Sequence, residues 1–371
     1  MDLNPPFYGS FAFQTDDITP VTTLSQGFPV PTVPDVNNLT GNVYSQNLNF
    51  RPGMIQQMNL NIQRELPEGM VMTLGYAGSR ASHQPTAGYN LNTAPPNPQI
   101  DPSNLRPYPN LNTIFAFLDR GLSRYDSLQA KLEKSYRQGL YFLVSYTWSK
   151  GFDNGLYDDL GSLVGIPYYP LNPAPNAYPN DPHGYTDKGL NVTDQTNNFS
   201  ASLLYKLPFG QGARFAPSVN GVTQTLIGNW QFNLISHMTS GVPLGLSTGV
   251  NNSGTVLGNR PNQICNGKLS HPTVGEFFNT ACFVDPPVAV LGNASRTPLY
   301  GPDFINFDSS LFKAFSLPYQ SQLVFRAEVF NIFNHPQFAN PGTATDSSGF
   351  GQITSTVNNP RLIQLALKYV F

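Results

Sequence analysis

The chain ends RLIQLALKYVF (residues 361–371), and how this stretch is read decides the fold. At period two, Ile363, Leu365, Leu367, Tyr369 and Phe371 fall on one face, while Gln364, Ala366, Lys368 and Val370 fall on the other. A helix would scatter these apolar residues around its circumference, and neither a cap nor a Gly marks a helix end. The segment reads as a strand whose last residue belongs to it, with one greasy face and one small or polar face.

The same two-faced pattern recurs in pairs along the chain. In 55–66, Met58, Leu60 and Ile62 alternate with Gln57, Asn59, Asn61 and Gln63, and after Pro67-Glu68-Gly69 the face continues as Met70, Met72, Leu74 and Tyr76. A three-residue turn makes this a hairpin. A clearer hairpin sets Leu128, Ala130 and Leu132 against Gln129, Lys131 and Glu133. It crosses Gln138-Gly139 and continues as Leu140, Phe142, Val144, Tyr146 and Trp148. Further strands carry Ala201, Leu203, Tyr205 and Leu207 opposite Ser200, Ser202 and Lys206, then Trp230, Phe232, Leu234 and Met238 opposite Gln231, Asn233, His237 and Thr239. Leu204 and Ile235 interrupt that polar face. A last hairpin around Leu317-Pro318 sets Phe307, Leu311, Leu323, Phe325, Ala327 and Val329 against Asn306, Asp308, Gln322, Arg326 and Glu328.

Composition says where such strands belong. Only 11% of the 371 residues are charged and 12% are aromatic, with 32 Gly and 34 Pro. A soluble domain carries about 25% charge, so part of this surface is expected to face something other than water. No run of 18 apolar residues exists, which excludes a transmembrane helix but not a transmembrane barrel. The net charge of −2, without a Lys/Arg cluster, argues against nucleic acid. The opening MDLNPPFYGSFAFQ lacks the basic and apolar regions of a signal peptide.

Connection lengths alternate. Turns at 67–69, 138–139 and 315–320 are short and that at 208–225 is moderate, whereas the links 81–123, 151–195, 240–303 and 335–360 are long and rich in Pro, Gly, Asn and Asp. Bacterial outer-membrane barrels have this layout, with tight periplasmic turns and extended extracellular loops. In lipid every strand must be paired, with an apolar outer face and an inner face that is free to be wet. A soluble β-sandwich also alternates, but its outer faces need charges that are missing here. The expectation is an all-β, antiparallel transmembrane barrel in the outer membrane of a Gram-negative bacterium. Residues 1–50 are expected as loop or partial strand (one candidate being YGSFAFQT) and 51–371 as strands with long outer loops.

About nine strands are visible, ten with the candidate near the start. Single-chain barrels have even counts, and the Gln/Asn face at 57–63 suits a wide wet lumen. The chain therefore reads as the C-terminal part of a larger barrel, expected as an open, curved half-barrel with unpaired first and last strands.

Six phrases in order, QRELPEGMVMTLGYAGSRASH, YDSLQAKLEKSYRQGLYFLVSYTWSKGFDN, LIGNWQFNLISHMTSGVPL, GNASRTPLYGPDFINFDSSLFKAF, FRAEVFNIFNHPQF and the terminal Phe371, resemble the TonB-dependent-receptor-like Oar proteins common in acidobacteria. The similarity runs from about residue 40 to the end. It implies a barrel of roughly 22 strands in the parent, preceded by a plug and a TonB box that this chain lacks, and uptake of an unnamed nutrient. The alternative function is a structural or adhesive outer-membrane protein whose long loops bind carbohydrate or other cells. Expected partners are outer-membrane lipid, the barrel-assembly machinery, an unidentified small-molecule or carbohydrate ligand and, in the parent, plug and TonB.

The candidate residues follow from these readings. His83, His183, His237, His271 and His335 lack metal-ligand spacing, and no catalytic motif is present, so no enzyme, cofactor or metal is expected. The acidic stretches 153–160 and 181–187 read as ordinary polar loops rather than Ca²⁺ sites. Cys265 and Cys282 are the only cysteines, and in an oxidising compartment they are expected to pair, with Cα atoms within about 7 Å. Gln57, Asn59, Asn61, Gln63, Lys131, Glu133, Lys206, Arg326, Glu328 and Lys368 are the expected lumen-lining residues. Tyr369 and Phe371, by resemblance to outer-membrane barrels generally, form the expected assembly signal.

Overall fold

The computed structural model describes residues 25–27, 41–46, 48–90, 92, 99, 102–153, 189–249, 259–290 and 292–371. Nine strands form one continuous antiparallel path: β2 (Met54–Leu66), β3 (Met70–Asn90), β4 (Leu111–Arg137), β5 (Leu140–Asp153), β6 (Asn197–Lys206), β7 (Trp230–Thr239), β8 (Phe304–Ser316), β9 (Gln322–Phe330) and β10 (Leu362–Val370). Each pairs with its neighbours in chain order, so the path is an up-and-down meander. Two additions complete the sheet: β1 (Gly41–Gln46) lies parallel to β4, and the short stretch Gly189–Leu190 pairs with β5. Among the described residues no pairing joins β2 to β10, and the sheet is open between them.

The tight turns are written in backbone chemistry. Gln138 and Gly139 both have positive φ, 54° and 81°, the combination a two-residue type I′ hairpin requires. At the other tight turn Glu68 and Gly69 are also left-handed, at 64° and 72°, closing Leu66 onto Met70. Register chains Arg137–Leu140–Tyr205 and Ser316–Gln322–Val370 place these turns, the β8–β9 turn and the end of β10 on one rim. The strand ends that the long connections join lie on the opposite rim, as the alternation of lengths requires.

Pairing aligns the faces across the wall. One row, Ile62–Leu74–Ala130–Tyr146–Phe199–Met238–Ile305, runs through seven strands on the apolar side. The adjacent row, Gln63–Thr73–Lys131–Ser145–Ser200–His237–Asn306, is polar throughout. A sandwich would cover the apolar side; here Leu60, Ile62, Leu128 and Leu365 keep 58–67% of their surface. Such a face is stable only against hydrocarbon, since each exposed Leu or Ile forgoes about 1.5–3 kcal/mol of burial in water.

The buried apolar cluster sits elsewhere, in the outer loops: Leu244, Leu246, Phe278, Cys282, Phe283 and Leu299. Phe278 meets Phe283 and Phe350 edge-on, with centroids 5.8 and 5.2 Å apart. The segments 240–249, 259–290 and 292–303 thus form a compact body with its own core, held by short ladders 243–244 with 299–300 and 262–263 with 283–284.

Two expectations need correction. The link 81–123 is not all loop: β3 continues to Asn90 and β4 starts at Leu111, so this hairpin extends past the apolar band. Register shifts between Ala81 and Gln84, Gln84 and Thr86, and Thr86 and Tyr89 destroy the period-two signal there. The link at 208–225 contains a short helix, α1 (Gly221–Ile227). Its last carbonyls are satisfied from outside the helix: Lys313 Nζ donates to Leu226 O and Gly228 O at 3.0 and 2.7 Å, and Trp230 Nε1 to Leu226 O at 2.9 Å. The YGSFAFQT candidate and most of the two acidic stretches lie outside the described residues.

Candidate functional site

A strand whose outer face must be apolar can place chemistry only on its other face, and there the expected lumen-lining residues stand. Gln57, Asn59, Asn61 and Gln63 oppose Ser79, Ala77, Gly75 and Thr73 across β2–β3. Lys131 and Glu133, two apart on β4 and therefore on one face, form an ion pair at 2.9 Å. On β9, Arg326 lies 3.6 Å from Glu328 and stacks 4.5 Å over the Phe312 ring. Lys206 and Lys368 stand opposite Gln231 and Val324. Between these charges run neutral contacts: Ser145 with Ser200 at 2.8 Å, Gln231 to Asn233 at 3.3 Å and Asn233 to Ser310 at 3.1 Å. The Lys131–Glu133 pair is half-exposed, so it adds under about 1 kcal/mol and serves chiefly to make the surface wettable.

At the outer end of this polar face a cavity of about 440 Å³ opens among Tyr125, Gln129, Thr147, Ser149, Thr193 and Asn198. The segment 189–196 is strapped across the end of β5 to shape it. Gly151 N donates to Asp194 Oδ1 at 2.7 Å, Ser149 N to Thr196 O at 2.9 Å, and Asn191 Nδ2 to Asp153 Oδ2 at 2.7 Å. Arg296, from the compact loop body, forms an ion pair with Asp153 and donates to Leu190 O at 3.0 Å and Gly189 O at 3.2 Å. One buried guanidinium thereby fixes strap, strand and loop body together. The lining offers hydroxyls, amides, a phenol, the Asp194 carboxylate and the Arg124 guanidinium, a set that hydrogen-bonds polar solutes.

Asp194 and Arg296 escaped the sequence reading, and Asp153 entered it only as the start of the polar stretch 153–160, because pairing over 143 residues leaves no periodic signal. Among the described residues no group of His, Cys, Asp and Glu is arranged to hold a metal ion.

Two further candidates have definite positions. Cys265 and Cys282 are bonded, with Cα atoms 4.9 Å apart, and Cys282 is part of the buried loop core. Tyr369 and Phe371 stack at 6.0 Å on the short-turn rim, and Phe371 is 98% exposed.

A family model described as an outer membrane beta barrel domain matches residues 1–364. Similar solved structures include the outer membrane transporter YddB from Escherichia coli (11% identity, TM-score 0.43, 89% of this chain and 34% of that one). Others are the ferric-catecholate import receptor Fiu from Escherichia coli (11%, 0.39, 87% and 29%) and the FrpB iron transporter from Neisseria meningitidis (11%, 0.39, 88% and 32%). The chain spans about a third of the length of these structures. No curated protein matches it.

Proposed function

The chain belongs to the outer membrane beta barrel domain family, whose place is the bacterial outer membrane, and from that premise we propose that it is the wall of a TonB-dependent-transporter-like protein of the Oar type. In this reading the complete protein binds a polar nutrient at its outer mouth and passes it along the lumen, with a plug and TonB supplying the coupling. The observation that carries it is the unbroken polar row Gln63 to Asn306 crossing seven strands, with the hydroxyl- and amide-lined cavity at its outer end. A wet inner face of this extent suits a solute path better than a filled interior.

The alternative, adhesion through the outer loops, draws on the disulfide-bonded loop body with its own core. One experiment separates the two. Cells carrying or lacking the gene are compared for accumulation of labelled oligosaccharides and siderophores, with and without a protonophore, and for retention on glycan-coated surfaces. Gene-dependent, protonophore-sensitive accumulation is expected. Unchanged accumulation with lost retention would replace transport by adhesion.

A further inference from the structure

The apolar face of the wall gives way to charge at its outer end. Beyond the row Leu60–Tyr76–Leu128–Trp148, the next positions on the same face are Gly78, Asp126 and Lys150, followed by Arg80, Arg124 and Phe152. These positions continue the apolar face by strand alternation, and at this level, next to the sheet's outer end, Arg124 borders the lumen-side cavity as well as the outward one. Charge on a lipid-facing surface is tolerated only near the interface, which sets this level at the outer-leaflet headgroups, directly above the aromatic pair Tyr76 and Trp148.

The charges are organised around one carboxylate. Tyr76 Oη donates to Asp126 Oδ1 at 2.7 Å, Arg80 Nη2 to the same oxygen at 2.8 Å, and Arg124 Nε to Oδ2 at 2.7 Å. Arg80 is further held by Nη1 donating to Ser79 O and Tyr125 O at 2.8 and 2.9 Å. Two guanidiniums against one carboxylate leave a surplus of one positive charge. Lys150 adds none, because Asp194 lies 3.5 Å away. Arg124, with a side chain 57% exposed, engages Asp126 through Nε and lines a cavity of about 430 Å³. Tyr76, Asp126, Trp148, Lys150 and Phe152 complete the lining.

We propose that this outward-facing cavity holds the anionic, phosphate-bearing headgroup of an outer-leaflet lipid. Arg124 and Arg80 supply the charge, and Tyr76 and Trp148 pack against the lipid below the headgroup. The planar guanidinium fork matches phosphate geometry, and the surplus charge complements it. The site would tie an annular lipid to the wall at the β3–β4–β5 seam.

The chain has two tryptophans, Trp148 and Trp230, so Trp230→Phe leaves a single reporter in the cavity. The protein is purified from outer membranes and reconstituted in phosphatidylcholine vesicles. These contain equal mole fractions of brominated phosphatidic acid or brominated phosphatidylcholine, and quenching of Trp148 is measured. The acidic lipid is expected to quench as though enriched about fivefold, the effect of one cation near an anionic surface. Arg124→Gln should abolish most of the enrichment, Arg124→Lys should keep part of it, and salt raised to about 0.5 M should weaken it. Millimolar inorganic phosphate should leave it unchanged, because the acyl chains, not the phosphate alone, anchor the ligand. Equal quenching by the two lipids, enrichment that survives Arg124→Gln or high salt, or displacement by free phosphate would each overturn the proposal. Quenching by phosphatidylcholine, equal in all variants, reports an intact wall. If Arg124→Gln fails that control, the salt titration on the unaltered arginine decides.

Discussion

Arg296 and Asp153, 143 residues apart in sequence, form an ion pair with side chains only 2% and 6% exposed. Removing one partner leaves an uncompensated buried charge, which destabilises by about 3–5 kcal/mol, more than the loop body gains from most single contacts. Arg296→Met should therefore release the segment 240–303 from the end of β5 while the wall persists. Limited proteolysis of the folded protein in lipid would show new cuts in that segment. Adding Asp153→Asn should recover part of the protection, and equal protection in wild type and single variant would remove this pair from the account.

Cys265 and Cys282 are separated by 17 residues, and closing a loop of that size stabilises by about 3 kcal/mol on the chain-entropy model. Replacing both by Ser should lower the temperature at which the loop body becomes protease-sensitive. Alkylation before reduction should label neither cysteine in protein isolated from the outer membrane; labelling of both would count against the bond in the cell.

The two faces of the wall should respond oppositely to charge. Leu74→Arg, in the middle of the apolar row, is expected to destabilise by about 2–4 kcal/mol in urea unfolding from vesicles. Lys131→Glu, on the polar face beside Glu133, should leave stability within about 1 kcal/mol. In the complete protein it should instead favour cationic over anionic solutes. A larger stability loss for Lys131→Glu than for Leu74→Arg would mean that the faces had been assigned the wrong way round.

Tyr369 and Phe371 present a stacked aromatic pair on the exposed end of the last strand. Serine at both positions should reduce the amount of heat-modifiable barrel in the outer membrane severalfold, with transcript level unchanged. An undiminished band on unheated gels would argue against an assembly role.

The wall itself was legible in sequence because membrane strands obey one rule, apolar out and polar in, and Met58 to Ile62, Leu140 to Trp148 and Ile363 to Phe371 keep an unbroken apolar outer face, with only Leu143, Ala366 and Val370 departing from polarity on the other. Where the constraint of lipid ends, so does legibility. Residues 81–90 and 111–123 are strands, but their bulged register and projection beyond the band leave no alternation to read. The core of Leu244, Leu246, Phe278, Phe283 and Leu299 is assembled from distant short pieces with no period at all. The polar candidates were legible as a face. The cavity at its end depends on Asp153, Asp194 and Arg296, whose partnership exists only once the strands are in register.

The parallel contact of β1 with β4 carries a consequence for the order of events during biogenesis. Tyr44 aligns with Phe115 and Gln46 with Phe117, so residues 41–46 find their partner only in a strand that begins about 65 residues later in the chain. The β2–β3 hairpin needs no such wait, since three residues close it. Loop-closure entropy makes distant pairings the slow ones, so the wall hairpins form first and the earliest described strand docks after them. Until β4 is in place, that strand has no described partner to pair with and stays exposed longer than the hairpins do.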